Sequence, residues 1–330
     1  TAHAAFHKAA HYFGVEPLLV DVDPRTFRAD PGAMAAAVRD DTVLVVGSAP
    51  SYAQGIIDPI AELAAMAAER GLRCHVDACI GGWVLPHLDH LDRAQQWTFA
   101  VPGVTSISVD LHKYAYTPKG VSLLLHRDST LRRGHFFASA AWPGYTMLNS
   151  TMQSTKSGGP LAAAWAVTRA IGIDGYAVLS RTAREATLAI ARGVDGIPGL
   201  RVVAEPDSTL LALAADGSCD VFTIADEMLA RGWYVQPQMA FRGMPATLHL
   251  TLSAATAPSV PEFLTALSEA VARHYFKLLA IKDEYEVARL YTDPAFMTKI
   301  RDSFEGDFRL NFHLAPPLLA KIDHNTGHPK

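Results

Sequence analysis

The stretch Ser106-Ile107-Ser108-Val109-Asp110-Leu111-His112-Lys113-Tyr114, running on through Tyr116-Thr117-Pro118-Lys119-Gly120, decides how this chain is read. Ser106 to Val109 has the short, β-branched pattern of a buried strand, and Lys113 follows in a turn. In an open α/β sheet, ligands bind in the crevice beyond the carboxyl ends of the strands. A lysine placed there can reach a carbonyl cofactor and condense with it as a Schiff base. A strand-end lysine is otherwise a solvated surface residue, so its neighbours settle the matter.

Working outward, short β-rich runs alternate with helical patterns, the signature of a mostly parallel sheet built from βαβ units. Strands are expected at Leu18 to Val22, Val43 to Gly47, Arg73 to Val76, Ser106 to Val109 and Val121 to His126, with helices at Pro31 to Arg39 and Pro59 to Arg70. The latter keeps Ile60, Leu63, Met66 and Ala67 on one face, with Asp58 as its expected N-cap and Gly71 as its stop. Helices are expected again at Gly159 to Ile171 and Tyr176 to Val194. A smaller α+β region should follow: strands Leu200 to Ala204, Thr209 to Ala214, Tyr234 to Met239 and Thr247 to Leu252, and a helix Val221 to Ala230. Further helices are expected at Val260 to Leu279 and Asp283 to Tyr291, with an irregular end from Ala315.

Thirty-six residues before Lys113, at the end of another expected strand, stands Asp77 in His75-Val76-Asp77-Ala78-Cys79. A carboxylate facing the pyridine nitrogen of pyridoxal 5'-phosphate (PLP) keeps that nitrogen protonated and makes the ring an electron sink. Asp77 alone would read as a helix N-cap. Paired with Lys113 on a second strand end, it reads as a cofactor partner.

Composition narrows the alternatives. With 29 basic against 33 acidic residues the formal charge is -4, so there is no basic field for nucleic acid. Cys74, Cys79 and Cys219 lack the spacing of a zinc or disulfide framework, which fits a reducing cytoplasm. No run is long and apolar enough for a membrane span. The 14 histidines are scattered; His87 with His90 reads as a polar helix face, and no metal site is expected. The chain opens on Thr1 inside what reads as a running segment, so an N-terminal part is expected to be missing.

The chain resembles the PLP-dependent (group II) decarboxylase superfamily and, within it, the sphingosine-1-phosphate lyases. The resemblance is carried by Ala2-His3-Ala4-Ala5-Phe6, Gly55-Ile56-Ile57-Asp58-Pro59, His75-Val76-Asp77-Ala78-Cys79, and Gly103 through Tyr114 with Pro118-Lys119-Gly120. It is good to about Trp165, thin to about Arg273 and negligible beyond. It implies a PLP-dependent transferase fold of type I, like aspartate aminotransferase. The large PLP-binding domain would be residues 1–173, without its N-terminal part, and residues 174–330 would give a bridging helix and a smaller C-terminal domain.

Residue by residue, the resemblance implies that Lys113 forms the internal aldimine and returns a proton, that Asp77 pairs with the pyridinium, and that His3 stacks on the ring. Cys79 would pack against the ring's other face. His112 and Ser108 would lie near the cofactor phosphate, although Ser108 equally reads as an ordinary strand residue. Tyr52 would assist proton transfer, and Lys119 would hold a substrate phosphate. Thr155 would reach the cofactor phosphate of a neighbouring subunit in a homodimer. Lys156 stands where relatives carry an arginine, and its role stays open. Relatives bind the PLP phosphate with a Gly-rich Thr-Glu-Ser loop, and none precedes His3 here. The implied activity is retro-aldol cleavage of a phosphorylated long-chain base to a fatty aldehyde and phosphoethanolamine. The alternatives are an amino-acid decarboxylase and an inactive relative with a structural or regulatory role.

Overall fold

The computed structural model describes residues 1–88, 96–153, 155–282, 289 and 293–303. Contacts divide the chain into a unit Thr1–Tyr275 and a unit Phe276–Lys330.

The first unit opens with a helix α1 (Ala4–Phe13) that the sequence reading did not expect. His3 caps it, its Nδ1 accepting from Ala5 N at 3.1 Å, and Gly14 closes it in the left-handed region at φ 66°. None of its residues is buried, so no core-facing periodicity marked it. The expected strand Leu18 to Val22 does not form. Leu18 and Leu19 are exposed, and the only pairing in that stretch is a single bridge from Val22 to Ala29. α2 (Pro31–Ala37) follows, capped by Asp30 and two residues shorter than expected.

Strands β1 (Leu44–Ser48), β2 (Arg73–Asp77), β3 (Ser106–Asp110) and β4 (Ser122–His126) form one sheet in that order. The first two pairings are parallel, and β4 returns antiparallel to β3. α3 (Ile60–Glu69) covers the sheet with Ile60, Leu63, Ala64 and Ala67, all fully buried at helical spacing. A side chain such as Leu63 contributes about 1.5–3 kcal/mol by leaving water. Contrary to expectation, Asp58 is not the N-cap of α3; Pro59 takes that position. Its two oxygens instead accept from Ala29 N and Ser48 N, each at 2.8 Å, so it ties the end of β1 to the segment before α2.

After a short α4 (Ser129–Arg132) and the hairpin β5 (Phe137–Ser139) and β6 (Met147–Asn149), α5 (Gly159–Val194) runs as one element. Gly172, at φ 65° and ψ 175°, breaks it between the two helices expected from sequence. A second sheet has the order β7-β8-β10-β9: β7 (Leu200–Val202), β8 (Leu210–Ala215), β9 (Gln236–Gln238) and β10 (Thr247–Thr251). All its pairings are antiparallel. β9 is half the length expected. α6 (Val221–Ala230) and α7 (Val260–Lys282) bury Ile224, Met228, Phe263 and Leu267 in the core of this sheet.

The two sheets are joined within this unit by polar links. Asp207 Oδ2 accepts from Ile57 N at 2.8 Å and pairs with Arg28 Nη2 at 2.8 Å. In the second unit the described residues include α8 (Pro294–Ser303). Most of the expected helix Asp283 to Tyr291, His90, Ser154 and the end from Ala315 lie outside the described residues.

Candidate active site

The carboxyl ends of β1, β2 and β3 open on a cavity of about 640 Å³ whose lining includes His3, Tyr52, Asp77, Cys79, Ser108 and Lys113. These six residues come from four separate stretches of the sequence. Parallel pairing sets Asp77 opposite Ser108 in register, so the two strand ends are level.

Lys113 sits in a turn that is clamped from two sides. Tyr114 Oη donates to Leu252 O at 2.5 Å, and Tyr176 Oη donates to Ala115 O at 2.9 Å. The Lys113 ammonium lies 2.9 Å from Asp110 Oδ2. Asp110, at the end of β3, also accepts from the Ser122 hydroxyl and has His112 Nε2 3.7 Å away. Burial works to raise the Asp110 pKa. The hydrogen bonds from Ser122 and Lys113, helped by the charges of Lys113 and His112, outweigh it and hold the carboxyl below its ordinary range. Sequence reasoning passed over Asp110, although the antiparallel return of β4 is what brings Ser122 beside it.

Asp77 accepts from Cys79 N at 3.1 Å and from Ser108 Oγ at 3.3 Å, both at Oδ1. Ser108 Oγ also lies 3.1 Å from Nε2 of His75, whose Nδ1 lies 2.8 Å from Ser106 Oγ. Ser108 is therefore part of a polar row ending on Asp77. Burial pushes the His75 imidazole below its usual range, against the pull of Asp77. Burial likewise pushes the Cys79 thiol up to about 12, with the Asp77 charge adding to it, which disfavours the thiolate.

His3, the cap of α1, faces Tyr52 edge-on with ring centroids 6.3 Å apart. Tyr52 in turn lies on His249 at 4.2 Å and 31°. His249 was missed in the sequence, where it reads as one residue of an alternating strand. It is 3 % exposed, within 3.3 Å of Ala53 O and 2.8 Å of Thr251 Oγ1, and burial lowers its pKa to about 4.

Other expected site residues stand apart from this cavity. His112 is half-buried with Nδ1 3.0 Å from Val121 O, and it does not line the cavity. Lys119, Thr155 and Lys156 are exposed and do not line it either. Among the described residues no group of three or more His, Cys, Asp or Glu is arranged to hold a metal, and no helix is long and apolar enough to cross a membrane.

The model of the pyridoxal-dependent decarboxylase conserved domain matches residues 1–214. The chain belongs to the pyridoxal-dependent decarboxylase family. PLP is the cofactor of this family, and its fold is the type I, aspartate aminotransferase-like one expected from the sequence. Within the family the chain is 37 % identical over 255 residues to a sphingosine-1-phosphate lyase of Dictyostelium discoideum, covering 77 % of this chain and 47 % of that protein. It is 36 % identical over 272 residues to the one from Oryza sativa subsp. japonica, covering 82 % and 49 %. A solved structure of a sphingosine-1-phosphate lyase from Burkholderia pseudomallei K96243 superposes with a TM-score of 0.78 at 36 % identity, covering 89 % of this chain and 66 % of that one. The chain thus spans about half the length of the curated relatives it matches. Residues 249–330 also match a family of unknown function.

The residues present fit the family's cofactor. An amine and a carboxylate open on one cavity of suitable size, and the carboxylate is held from behind by a backbone N–H and a hydroxyl.

Proposed function

We propose that this chain carries the PLP-binding and catalytic part of a carbon-carbon lyase that cleaves sphingosine 1-phosphate or a similar phosphorylated long-chain base to a fatty aldehyde and phosphoethanolamine. The observation that carries this reading is the convergence of Lys113 and Asp77 on one cavity flanked by His3 and Tyr52. The similarity to sphingosine-1-phosphate lyases supports the choice of reaction.

PLP, when bound, supplies the electron sink for the carbanion left by carbon-carbon cleavage. Lys113 would hold the cofactor by its carbonyl and carry a proton at Nζ, with Asp110 as the carboxylate that orients the lysine. Asp77 takes the pyridine N–H, and the bonds from Cys79 N and Ser108 Oγ keep its carboxylate in place for that. His3 and Cys79, both in the cavity lining, would pack against the cofactor ring. Tyr52 moves a proton at its hydroxyl. His112 would serve the cofactor phosphate, whereas Ser108, expected beside that phosphate, donates its hydroxyl proton to Asp77; Lys119, a compact cation, would serve the substrate phosphate.

The proposed domains are 1–173 and 174–330, a division supported by the break at Gly172 and by the second sheet that follows it. A homodimer with shared sites is supported by the exposed apolar side chains Phe136, Phe137, Trp142, Tyr145, Leu148 and Met152, concentrated along one stretch. Thr155 would then serve the partner's cofactor phosphate, with Lys156 beside it. A cytoplasmic setting is supported by three unpaired cysteines.

The test is to load the full-length protein with PLP, add sphingosine 1-phosphate and assay for long-chain aldehyde. Aldehyde formation that falls strongly in Lys119→Ala supports the lyase. Carbon dioxide released from an amino acid, with Lys119→Ala fully active, would make it a decarboxylase. No cofactor absorbance even in the full-length protein would make it an inactive relative.

A further inference from the structure

A second cavity of about 300 Å³ lies beyond Tyr52, which lines both chambers. Its walls come from α5, α7 and the second sheet. Ile190, Leu250, Leu252, Val260 and Phe263 are all buried there, and Trp233 meets Phe263 edge-on at 5.4 Å. Among the described residues no Asp, Glu, Lys or Arg lines it. Its one titratable imidazole, His249, is committed to Ala53 O and Thr251 Oγ1 and stays neutral near pH 7, since burial lowers its pKa to about 4. The two chambers therefore differ in chemistry. The first holds an amine and carboxylates; the second is uncharged, with an apolar wall from Ile190, Val260 and Phe263 and neutral polar groups of Tyr234, Gln236, Thr251, Thr256 and Ser259 around it.

We propose that this second chamber takes the hydrocarbon end of an amphiphilic substrate whose amine is handled at Lys113. The inference rests on the lyase reading above and adds where the chain goes. A phosphate has no counter-charge in the second chamber, so the charged end stays on the Lys113 side of Tyr52 and the alkyl end crosses it. Tyr52, stacked on the neutral His249 ring, forms the sill between the two. Each methylene taken out of water there is worth about fourfold in affinity.

Narrowing the chamber tests this. Ser259 is at its partly exposed rim and Leu250 is in its wall, and neither belongs to the catalytic machinery. In the holoenzyme, Ser259→Phe and Leu250→Phe should lower kcat/KM for a long-chain substrate by about ten- to hundredfold. A substrate truncated just beyond the cleaved bond should change less than about twofold, with cofactor absorbance unchanged. Equal losses for both substrates, or no loss for either, would overturn the proposal.

A second measurement needs no turnover. A brominated long-chain alcohol should quench the fluorescence of the wild-type holoenzyme saturably. The quenching should vanish in Trp233→Phe and weaken at least about tenfold in Ser259→Phe. Quenching that ignores both substitutions rejects the chamber. If the quenching behaves as expected but no long-chain base is cleaved, the lyase reading fails and the chamber's preference for hydrocarbon stands.

Discussion

The ammonium of Lys113 lies 2.9 Å from Oδ2 of Asp110, three residues before it, and the Ser122 hydroxyl binds the same carboxyl from the neighbouring strand. The lysine proposed to hold the cofactor is therefore placed before any cofactor arrives. A charge-assisted hydrogen bond of this kind contributes about 1.5–3 kcal/mol. Asp110→Asn should accordingly weaken cofactor retention by about ten- to a hundredfold, read from the visible absorption band during dialysis. Lys113→Ala should abolish that band while the fold survives.

Asp110 also sets an acid limit. Its folded pKa is held below the ordinary value of about 3.9, so its contribution is fully present above that pH and is lost as pH falls through the folded value. Ser122→Ala removes one of the bonds that hold the carboxyl down and should move this acid loss to higher pH, measured by urea unfolding at a series of pH values.

His249 behaves in the opposite chemical sense but with the same slope. Its pKa is lowered from 6.5 to about 4, so between those values the unfolded chain binds the proton and the folded chain does not. Stability should fall as pH drops from about 6.5 to 4, by up to about 3 kcal/mol from this residue. His75 adds to the slope in the same direction. The difference in slope between wild type and His249→Gln isolates the share of His249, and identical slopes would reject it.

The thiols should be quiet. Cys79 is pushed up to about 12 and Cys74 to about 11 by burial. At pH 8 the thiolate fraction of Cys79 is about one in ten thousand. Iodoacetamide should modify neither in the native protein and both after denaturation, as mass spectrometry will read. Cys79→Ser should leave the cofactor band in place.

Gly55 marks where the two sheets touch. At φ 74°, a Cβ there would lie 2.1 Å from Leu210 O, so even alanine forces the loop after β1 away from β8. Gly55→Ala should cost at least about 1–3 kcal/mol, measurable as a lowered Tm.

That Lys113 and Asp77 would open on one cavity was legible because Asp77 ends β2, Lys113 follows β3 in a turn, and parallel pairing puts the two strand ends level. Tyr52 and His3 entered through resemblance, and the cavity brings both to the same place. His249 was illegible for a physical reason. Alternation in Thr247-Leu248-His249-Leu250 says that it sits on a strand, but its meeting with Tyr52, almost two hundred residues away, depends on how the second sheet is docked. The expected strand Leu18 to Val22 failed from the reverse cause: β-favouring residues had no neighbouring strand to pair with. Asp58 was read locally as a helix cap, whereas its carboxylate satisfies two backbone groups far apart in sequence.

The row from Ser106 through His75 and Ser108 to Asp77 has a direction. Ser108 has one hydroxyl proton, and it goes to Asp77. Ser108 must then receive from His75 Nε2, which leaves Nδ1 of a neutral ring to receive from Ser106. Every dipole in the row points the same way, toward the carboxylate. Cutting the row at its far end, with Ser106→Ala, frees the imidazole to take its other tautomer. Asp77 would then feel a change made three hydrogen bonds away along the row.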